Sequence, residues 1–411
     1  MNISLKFSFI RNASSLLVSN LFSAAVFYSL YIYFTHIINV DDYGYLNLFL
    51  SFGLISFQIS ELGINIQAQR LSSKPKTKYI FLNNAIRLRF FFITITLVLS
   101  FLFFIFFLEY NNLNLLISFS LIMLSAAFES FSGTLISGFN GLGKINVTAF
   151  SIFLRAVSFL LLCLIFTINF GNLISISLVY FICAFLKFMY LFMKFYKNYN
   201  LQLKKYSFPK LLKVSWKYGL IGFLSILIAR VEIFIINDLL GVYYAGLYSV
   251  PLMICTLVNV ISYSFVQSIW SELVKNKTNL TNFKDSYIFF LKITIILMVF
   301  FIFFGWSLAP YFLNTFFNVN YLSTIQTVKI MIFSASLIFP LALAGSAINA
   351  LHMPNFIIFY TILLSLVKVL CSFYLIDSFG INGGPIANFI TFLIGFIILH
   401  FSVLKNCKID K

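Results

Sequence analysis

Apolar stretches of about 20 residues, the length that a helix needs to cross a bilayer, recur from one end of this chain to the other. In lipid, only helices and closed barrels satisfy all of their backbone hydrogen bonds. The 411 residues are 61% hydrophobic and 9% charged, whereas a soluble domain has about 25% charged residues. Because so few charges cannot cover a water-exposed surface, the sequence predicts an all-α integral membrane protein.

The apolar stretches predict twelve membrane spans, with boundaries uncertain by about two to four residues. They cover approximately residues 14–37, 43–66, 88–108, 113–137, 147–169, 173–194, 214–237, 244–268, 286–307, 325–350, 355–377 and 384–403. Pro251 and Pro340 fall inside the eighth and tenth of these spans. Proline lacks a backbone donor, so each of them can kink its helix.

Lysine and arginine lie on one side of this predicted topology. The loops after spans two, four, six and eight and both chain ends carry these bases, while the loops after odd-numbered spans contain no Lys or Arg. By the positive-inside rule, both termini are predicted to be cytoplasmic. This asymmetry accounts for the net charge of +17, and no nucleic-acid partner is expected.

A polar segment near the middle divides the predicted spans into six and six. We expect an N-terminal lobe of residues 1–198, a cytoplasmic linker of residues 199–213 and a C-terminal lobe of residues 214–411. The segments Val40-Asp-Asp-Tyr-Gly44 and Val242-Tyr-Tyr-Ala-Gly246 occupy the same turn of the two halves, 202 residues apart. The match predicts two parallel repeats, an architecture in which transporters bind substrate between the repeats.

Several ionisable side chains lie inside the predicted spans, where a charge is costly and marks a functional site or a buried pair. They are Glu61, Glu129, Glu232, Arg155, Arg230, Lys292, Lys329 and Lys368. Lys292 and Lys329 lie near span ends, where their ammonium groups could reach the interface. The bases outnumber the acids, which suits an anionic passenger. Phosphate fits best, because Arg binds it with two parallel hydrogen bonds and Lys as a point charge.

Two motifs resemble those of polysaccharide exporters. Ser60-Glu-Leu-Gly-Ile64 resembles their acidic-Leu-Gly element. Glu232, followed by Leu240-Gly241 and Gly246-Leu-Tyr-Ser249, resembles their acidic–LG–GxYS pattern, with Glu where Asp is more usual. Together with the two-lobed plan, these motifs identify the chain as a member of the multidrug/oligosaccharidyl-lipid/polysaccharide (MOP) exporter superfamily. Within it, the chain resembles the Wzx-type O-antigen flippases.

The resemblance implies a MATE-like fold of two six-helix bundles that work by alternating access in the bacterial inner (cytoplasmic) membrane. It implies a flippase, not an enzyme, that moves undecaprenyl-diphosphate-linked oligosaccharide from the cytoplasmic to the outer leaflet. The oligosaccharide would be an O-antigen unit of lipopolysaccharide or a capsule repeat unit. The polymerase and chain-length proteins of the same pathway are expected partners, in addition to the lipid bilayer.

Under this hypothesis the buried bases and acids have different roles. The diphosphate and the sugars are held in a cavity by Arg155, Arg230, Lys368 and Lys329. The carboxylates Glu61, Glu129 and Glu232 either bind a coupling H⁺ or Na⁺ ion or pair with the buried bases. No cofactor and no resident metal are expected.

Two other functions remain open at this point. A multidrug antiporter of the same superfamily is expected to have a carboxylate in its first span, and residues 14–37 contain none. A cationic interior would also repel cationic drugs. A membrane-embedded O-antigen polymerase or glycosyltransferase would need catalytic groups that converge outside the membrane. The three histidines, His36, His352 and His400, have no ligand spacing.

Overall fold

A computed structural model describes residues 3–73, 78–107, 112–169, 171–198, 208–276, 279–351 and 353–407, and within these ranges every regular element is a helix. The α-helices are α1 (Ile3–Ile37), α2 (Val40–Ile59), α3 (Ile64–Ser72), α4 (Lys78–Phe107), α5 (Leu113–Gly141), α6 (Ile145–Asn169), α7 (Leu173–Asn198), α8 (Phe208–Leu240), α9 (Val242–Asn276), α10 (Leu280–Phe316), α11 (Ile325–Ser336), α12 (Ile338–Ala350), α13 (Pro354–Phe379) and α14 (Gly383–Asn406). Short 3-10 helices cover Val319–Thr324 and Gly380–Asn382. The predicted all-α class is confirmed.

Many of these helices are suited to lipid. Ten helical segments of the described chain are long and apolar enough to cross a membrane, or eleven if α2 and α3 count as one broken span. One of the ten, Asn355–Asn406, contains both α13 and α14. The prediction of many membrane spans is confirmed, whereas the number twelve and the cytoplasmic position of both termini stay predictions.

Asparagine side chains fix where several of the helices begin. The side-chain oxygen of Asn39 accepts a hydrogen bond of 2.7 Å from the backbone N–H of Asp42 at the start of α2. Asn112 and Asn279 accept backbone N–H groups in the same way before α5 and α10. The first N–H groups of a helix have no partner within it, so such caps stabilise the helix ends.

The second helix of the predicted first repeat is broken. α2 and α3 meet at an angle of 57°, and between them Leu62 and Gly63 have φ values of 47° and 72°. This left-handed region is favourable for glycine and costly for leucine. The predicted equivalent in the other half, α9, begins at Val242 as α2 begins at Val40, but it continues unbroken through Pro251. The break therefore distinguishes the two halves.

Arg89 of α4 stabilises this break from one side. Its guanidinium donates hydrogen bonds to the Phe57 carbonyl oxygen at 3.2 Å and to the Ser60 hydroxyl at 3.1 Å, and a third to Ser130 of α5. Ser60 donates to the same Phe57 carbonyl at 2.7 Å. Carbonyl groups in the last turn of a helix lack partners within it. The side chains of Arg89 and Ser60 supply partners here, and Arg89 is 2% exposed.

On another side, the break touches the backbone of α8. A Cβ atom on Gly63 would lie 2.3 Å from the Ser215 carbonyl oxygen and 2.8 Å from the Gly219 nitrogen. A Cβ atom on Gly219 would lie 2.6 Å from Leu62 Cα. Small residues allow helices in membranes to approach this closely. The glycine of the Ser60-Glu-Leu-Gly motif thus meets both a conformational and a packing requirement.

The tenth predicted span, residues 325–350, is divided into α11 and α12 at Leu337. Pro340 lies in the first turn of α12 and has no N–H group, so the Ser336 carbonyl loses the donor that a continuous helix would give it. The span is therefore interrupted near Pro340, whereas Pro251 lies in a continuous α9, and kinks at the two prolines stay predictions.

The chain forms two compact units, Met1–Ile226 and Leu227–Lys411, and the division falls inside α8. The predicted lobes of residues 1–198 and 214–411 stay a prediction. Residues 199–207 of the predicted linker lie outside the described residues. Each unit contains a cluster of charged side chains between its helices.

We expect Arg89→Met to lower the free energy of unfolding by about 1–3 kcal/mol, because it leaves buried acceptors at Phe57 and Ser130 short of a partner. Arg87→Met, two residues away at an exposed position of α4, is the matched control and should have little effect. Thermal unfolding of the purified variants in detergent measures both. Equal melting temperatures for the two variants would contradict this role of Arg89.

Candidate functional site

The first unit contains a cluster of three charged side chains, the Glu129 cluster, formed by Glu129 of α5, Arg155 of α6 and Lys187 of α7. Lys187 donates a hydrogen bond of 2.8 Å to Glu129 Oε2. Arg155 Nε lies 2.7 Å from Glu129 Oε1. One carboxylate thus faces two bases, and the cluster carries a net charge of +1 when all three side chains are ionised.

The two bases are not held equally. The Lys187 side chain is 8% exposed, whereas that of Arg155 is 23% exposed. Arg155 Nε and Glu129 Oε1 are close, but their geometry is not that of a hydrogen bond, and both atoms lack a hydrogen-bond partner in the described part of the chain. The guanidinium carbon instead lies 4.8 Å from the centre of the Phe27 ring of α1. Arg155 is therefore attracted to Glu129 without being fixed by directional bonds.

A third unsatisfied polar atom belongs to the same neighbourhood. The Tyr180 hydroxyl of α7 lies near Tyr31 and Arg155 and is buried, yet it makes no hydrogen bond of good geometry within the described residues. Leaving a buried polar group unpaired is costly, and such groups in native proteins call for an explanation such as a bound water or a ligand. The Glu129 cluster is therefore an incomplete polar site.

The second unit contains the Glu232 cluster, formed by Glu232 of α8, Tyr248 of α9, Lys368 of α13 and Asn388 of α14. Lys368 and Tyr248 both donate hydrogen bonds to the Glu232 carboxylate. Lys368 also donates to Asn388 Oδ1 at 2.6 Å, and Asn388 Nδ2 donates to Glu232 Oε2 at 3.1 Å. The Lys368 and Glu232 side chains are 0% and 2% exposed. This cluster is closed and its charges are balanced.

The geometry explains the acidic–LG–GxYS pattern. Gly241, with φ of 96°, lies in the turn between α8 and α9, which lets the chain return so that Tyr248 of α9 donates to Glu232 of α8. Gly384 of α14 makes room for the tyrosine, since a Cβ atom there would lie 2.7 Å from the Tyr248 hydroxyl oxygen. The motif thus encodes a contact between neighbouring helices.

The remaining predicted site residues lie outside both clusters. Arg230 is partly buried and makes no ion pair with any described residue. Lys329 Nζ lies 5.5 Å from the centre of the Trp306 ring. Glu61 lies at the break between α2 and α3, in the electrostatic field of Arg89. The role of these residues in substrate binding or ion coupling stays a prediction.

Sequence reasoning missed four residues that complete these networks: Lys187, Arg89, Tyr248 and Asn388. Lys187 and Arg89 fall inside predicted spans, at 173–194 and 88–108, so the charge of each within an apolar span is the signal that could have found it. Tyr248 is part of the Gly246-Leu-Tyr-Ser249 motif. Asn388 is a polar residue within an apolar span, where the need for a hydrogen-bond partner is itself a signal.

Neither cluster resembles a metal site. Among the described residues, no group of three or more His, Cys, Asp or Glu side chains could hold a metal ion. The chemistry available in the Glu129 cluster is that of guanidinium, ammonium and hydroxyl donors, which bind anions.

Comparison with known proteins gives a family and a fold. A family profile described as "Polysaccharide biosynthesis protein" matches residues 9–270. No curated protein sequence matches the chain.

Several solved transporters share the fold at 14% sequence identity. One is an inward-facing multidrug resistance MATE transporter of the MOP superfamily, with a TM-score of 0.65 over 98% of this chain and 95% of that one. A second is a MATE protein in complex with MaD3S, with a TM-score of 0.68 over 97% and 96%. A third is a MOP transporter from Pyrococcus furiosus whose binding pocket is described as having reverse polarity, with a TM-score of 0.65 over 97% and 95%. Identities this low show the fold alone.

We expect Lys368→Met to destabilise the protein by about 3–5 kcal/mol, because it leaves the Glu232 carboxylate buried without its counter-charge. The double variant Glu232→Gln/Lys368→Met removes both charges and should recover a large part of that loss. Thermal unfolding in detergent compares the two variants. A double variant that is less stable than Lys368→Met would show that the cluster does not act as a balanced buried pair.

Proposed function

This chain belongs to the polysaccharide biosynthesis protein family within the MOP exporter superfamily, and on that premise we propose that it is a flippase for a lipid-linked oligosaccharide. The passenger is undecaprenyl-diphosphate-linked oligosaccharide, which moves from the cytoplasmic to the outer leaflet of the bacterial inner membrane. Family and fold favour a transporter over a polymerase or glycosyltransferase, because the fold is shared with membrane transporters.

The observation that carries the proposal is the incomplete, net positive Glu129 cluster. Arg155 and Lys187 outnumber the single carboxylate, and the terminal nitrogens of Arg155 donate no hydrogen bond to any described residue. Two guanidinium N–H groups without an acceptor match the geometry of a phosphoryl group. A diphosphate headgroup supplies both the negative charge and the acceptors that this site lacks.

The second candidate function is that of a multidrug antiporter, which the shared MATE fold favours. The charge of the Glu129 cluster speaks against a cationic drug as passenger. The P. furiosus transporter described as having a pocket of reverse polarity and a different function is consistent with one MOP fold serving passengers of different charge. Charge within the site, rather than the fold, therefore decides between the two candidates.

The proposed flippase has three further features. Both chain ends are cytoplasmic, twelve spans form two lobes, and the passage is coupled to H⁺ or Na⁺. Polymerase and chain-length proteins of the same pathway receive the product.

We expect Arg155→Gln to slow translocation about tenfold or more, since a hydrogen bond to a charged group contributes about 1.5–3 kcal/mol. Proteoliposomes that contain a fluorescent polyprenyl-diphosphate-linked saccharide, with a membrane-impermeant quencher outside, measure the rate. The exposed Arg87→Gln is the matched control and should translocate at the wild-type rate. Normal surface polysaccharide in a deletion strain that produces Arg155→Gln at wild-type protein levels would exclude Arg155 from binding.

A cationic dye separates the two candidate functions. We expect proteoliposomes that contain the wild-type protein to accumulate no ethidium above protein-free vesicles under a proton or sodium gradient, because Arg155 and Lys187 repel a cation. Accumulation that depends on the protein would instead support the multidrug antiporter.

A further inference from the structure

Glu129 is shared between two bases in two different ways. Lys187 donates a directional hydrogen bond to one carboxylate oxygen, Oε2, and is almost fully buried. Arg155 approaches the other oxygen, Oε1, without forming a hydrogen bond, and about a quarter of its side chain is exposed. Glu129 therefore has one directional hydrogen bond, to Lys187, and one ion-pair contact that lacks hydrogen-bond geometry, to Arg155.

We propose that Glu129 is a displaceable internal anion that occupies Arg155 until a phosphoryl oxygen of the passenger replaces it. This inference rests on the proposed function and specifies how its site takes and releases a diphosphate ester. When the phosphoryl group arrives, Glu129 Oε1 leaves Arg155 while Oε2 stays bonded to Lys187. When the phosphoryl group departs, the carboxylate returns to the guanidinium.

The surroundings of Arg155 fit such an exchange. Its guanidinium lies over the Phe27 ring at 4.8 Å, and stacking on an aromatic face keeps the plane of a guanidinium oriented while leaving its edge available. The Tyr180 hydroxyl nearby is buried and makes no hydrogen bond of good geometry with a described residue. The terminal nitrogens of Arg155 donate no hydrogen bond to a described residue, so a phosphoryl group bound here does not have to take these donors from another hydrogen bond.

Competition by Glu129 also limits affinity. A carrier that binds its passenger too tightly cannot release it, and a ligand shifts an equilibrium only by its differential affinity for the two states. Because Glu129 competes for Arg155, removing its charge should strengthen binding of the anion and slow its release. This distinguishes Glu129 from a carboxylate that only stabilises the fold, whose removal would weaken binding or leave it unchanged.

The test is isothermal titration of the purified full-length protein in detergent with farnesyl diphosphate, a soluble prenyl diphosphate. We expect Glu129→Gln to bind about tenfold more tightly, which corresponds to about 1.4 kcal/mol, and Arg155→Gln to lose binding. Inorganic diphosphate is titrated in parallel and should give the same order of variants at lower affinity. The same order of variants with inorganic diphosphate would show that Glu129 competes with the diphosphate group and not with the prenyl chain.

The double variant Glu129→Gln/Lys187→Met separates competition from simple charge. It keeps the net charge of the cluster at +1 but leaves Arg155 without its competitor, so the proposal predicts tighter binding than wild type. In Glu129→Gln alone, Arg155 and Lys187 are two neighbouring bases without a carboxylate, and that variant could fail to fold. The double variant removes one of the two bases and so avoids this problem. Wild-type affinity in the double variant would show that net charge alone matters and would overturn the proposal.

The failures can be told apart. Binding by wild type that becomes weaker in Glu129→Gln overturns the displaceable anion but leaves the proposed function standing. A different order of variants with inorganic diphosphate also overturns it. The third outcome is that folded wild type and the folded control Arg87→Gln bind neither farnesyl diphosphate nor inorganic diphosphate. This outcome overturns the inference and the proposed site together.

Discussion

A charged side chain between membrane helices is costly without a partner, and in each unit of the protein neighbouring helices supply partners for one buried carboxylate. Glu232 receives donors from α9, α13 and α14, so one carboxylate joins four helices. In the first unit, Glu129 joins α5 to α6 and α7. Each of these contacts joins side chains of different helices, and buried apolar residues pack around them.

The two clusters satisfy this requirement to different degrees. The Glu232 cluster is buried, and each of its charges has a hydrogen-bonded partner. The Glu129 cluster is partly exposed and contains buried atoms that have no hydrogen-bond partner among the described residues. A closed network holds helices together, whereas an open one can receive a group from outside. The Glu232 cluster is thus a fully hydrogen-bonded charge pair, whereas the Glu129 cluster has donors that no described residue uses.

Much of the fold and part of the site follow from the sequence. The apolar runs, the Asn39 cap and the matching starts of α2 and α9 all come from local patterns. Glu129, Arg155, Glu232 and Lys368 stand out because a charge within an apolar span is conspicuous. Their pairing could not be predicted, because it depends on how distant helices pack and on rotation about each helix axis.

The backbone contact between Gly63 and Gly219 affects how the chain tolerates variation. A single methyl group at either position would overlap main-chain atoms of the other segment, and main chain cannot turn aside as a flexible side chain can. A saturation mutagenesis map should therefore show two intolerant glycines that belong to neither charge cluster. Loss of activity at those positions would report on assembly of the first unit, and it should not be mistaken for a sign that the passenger touches them.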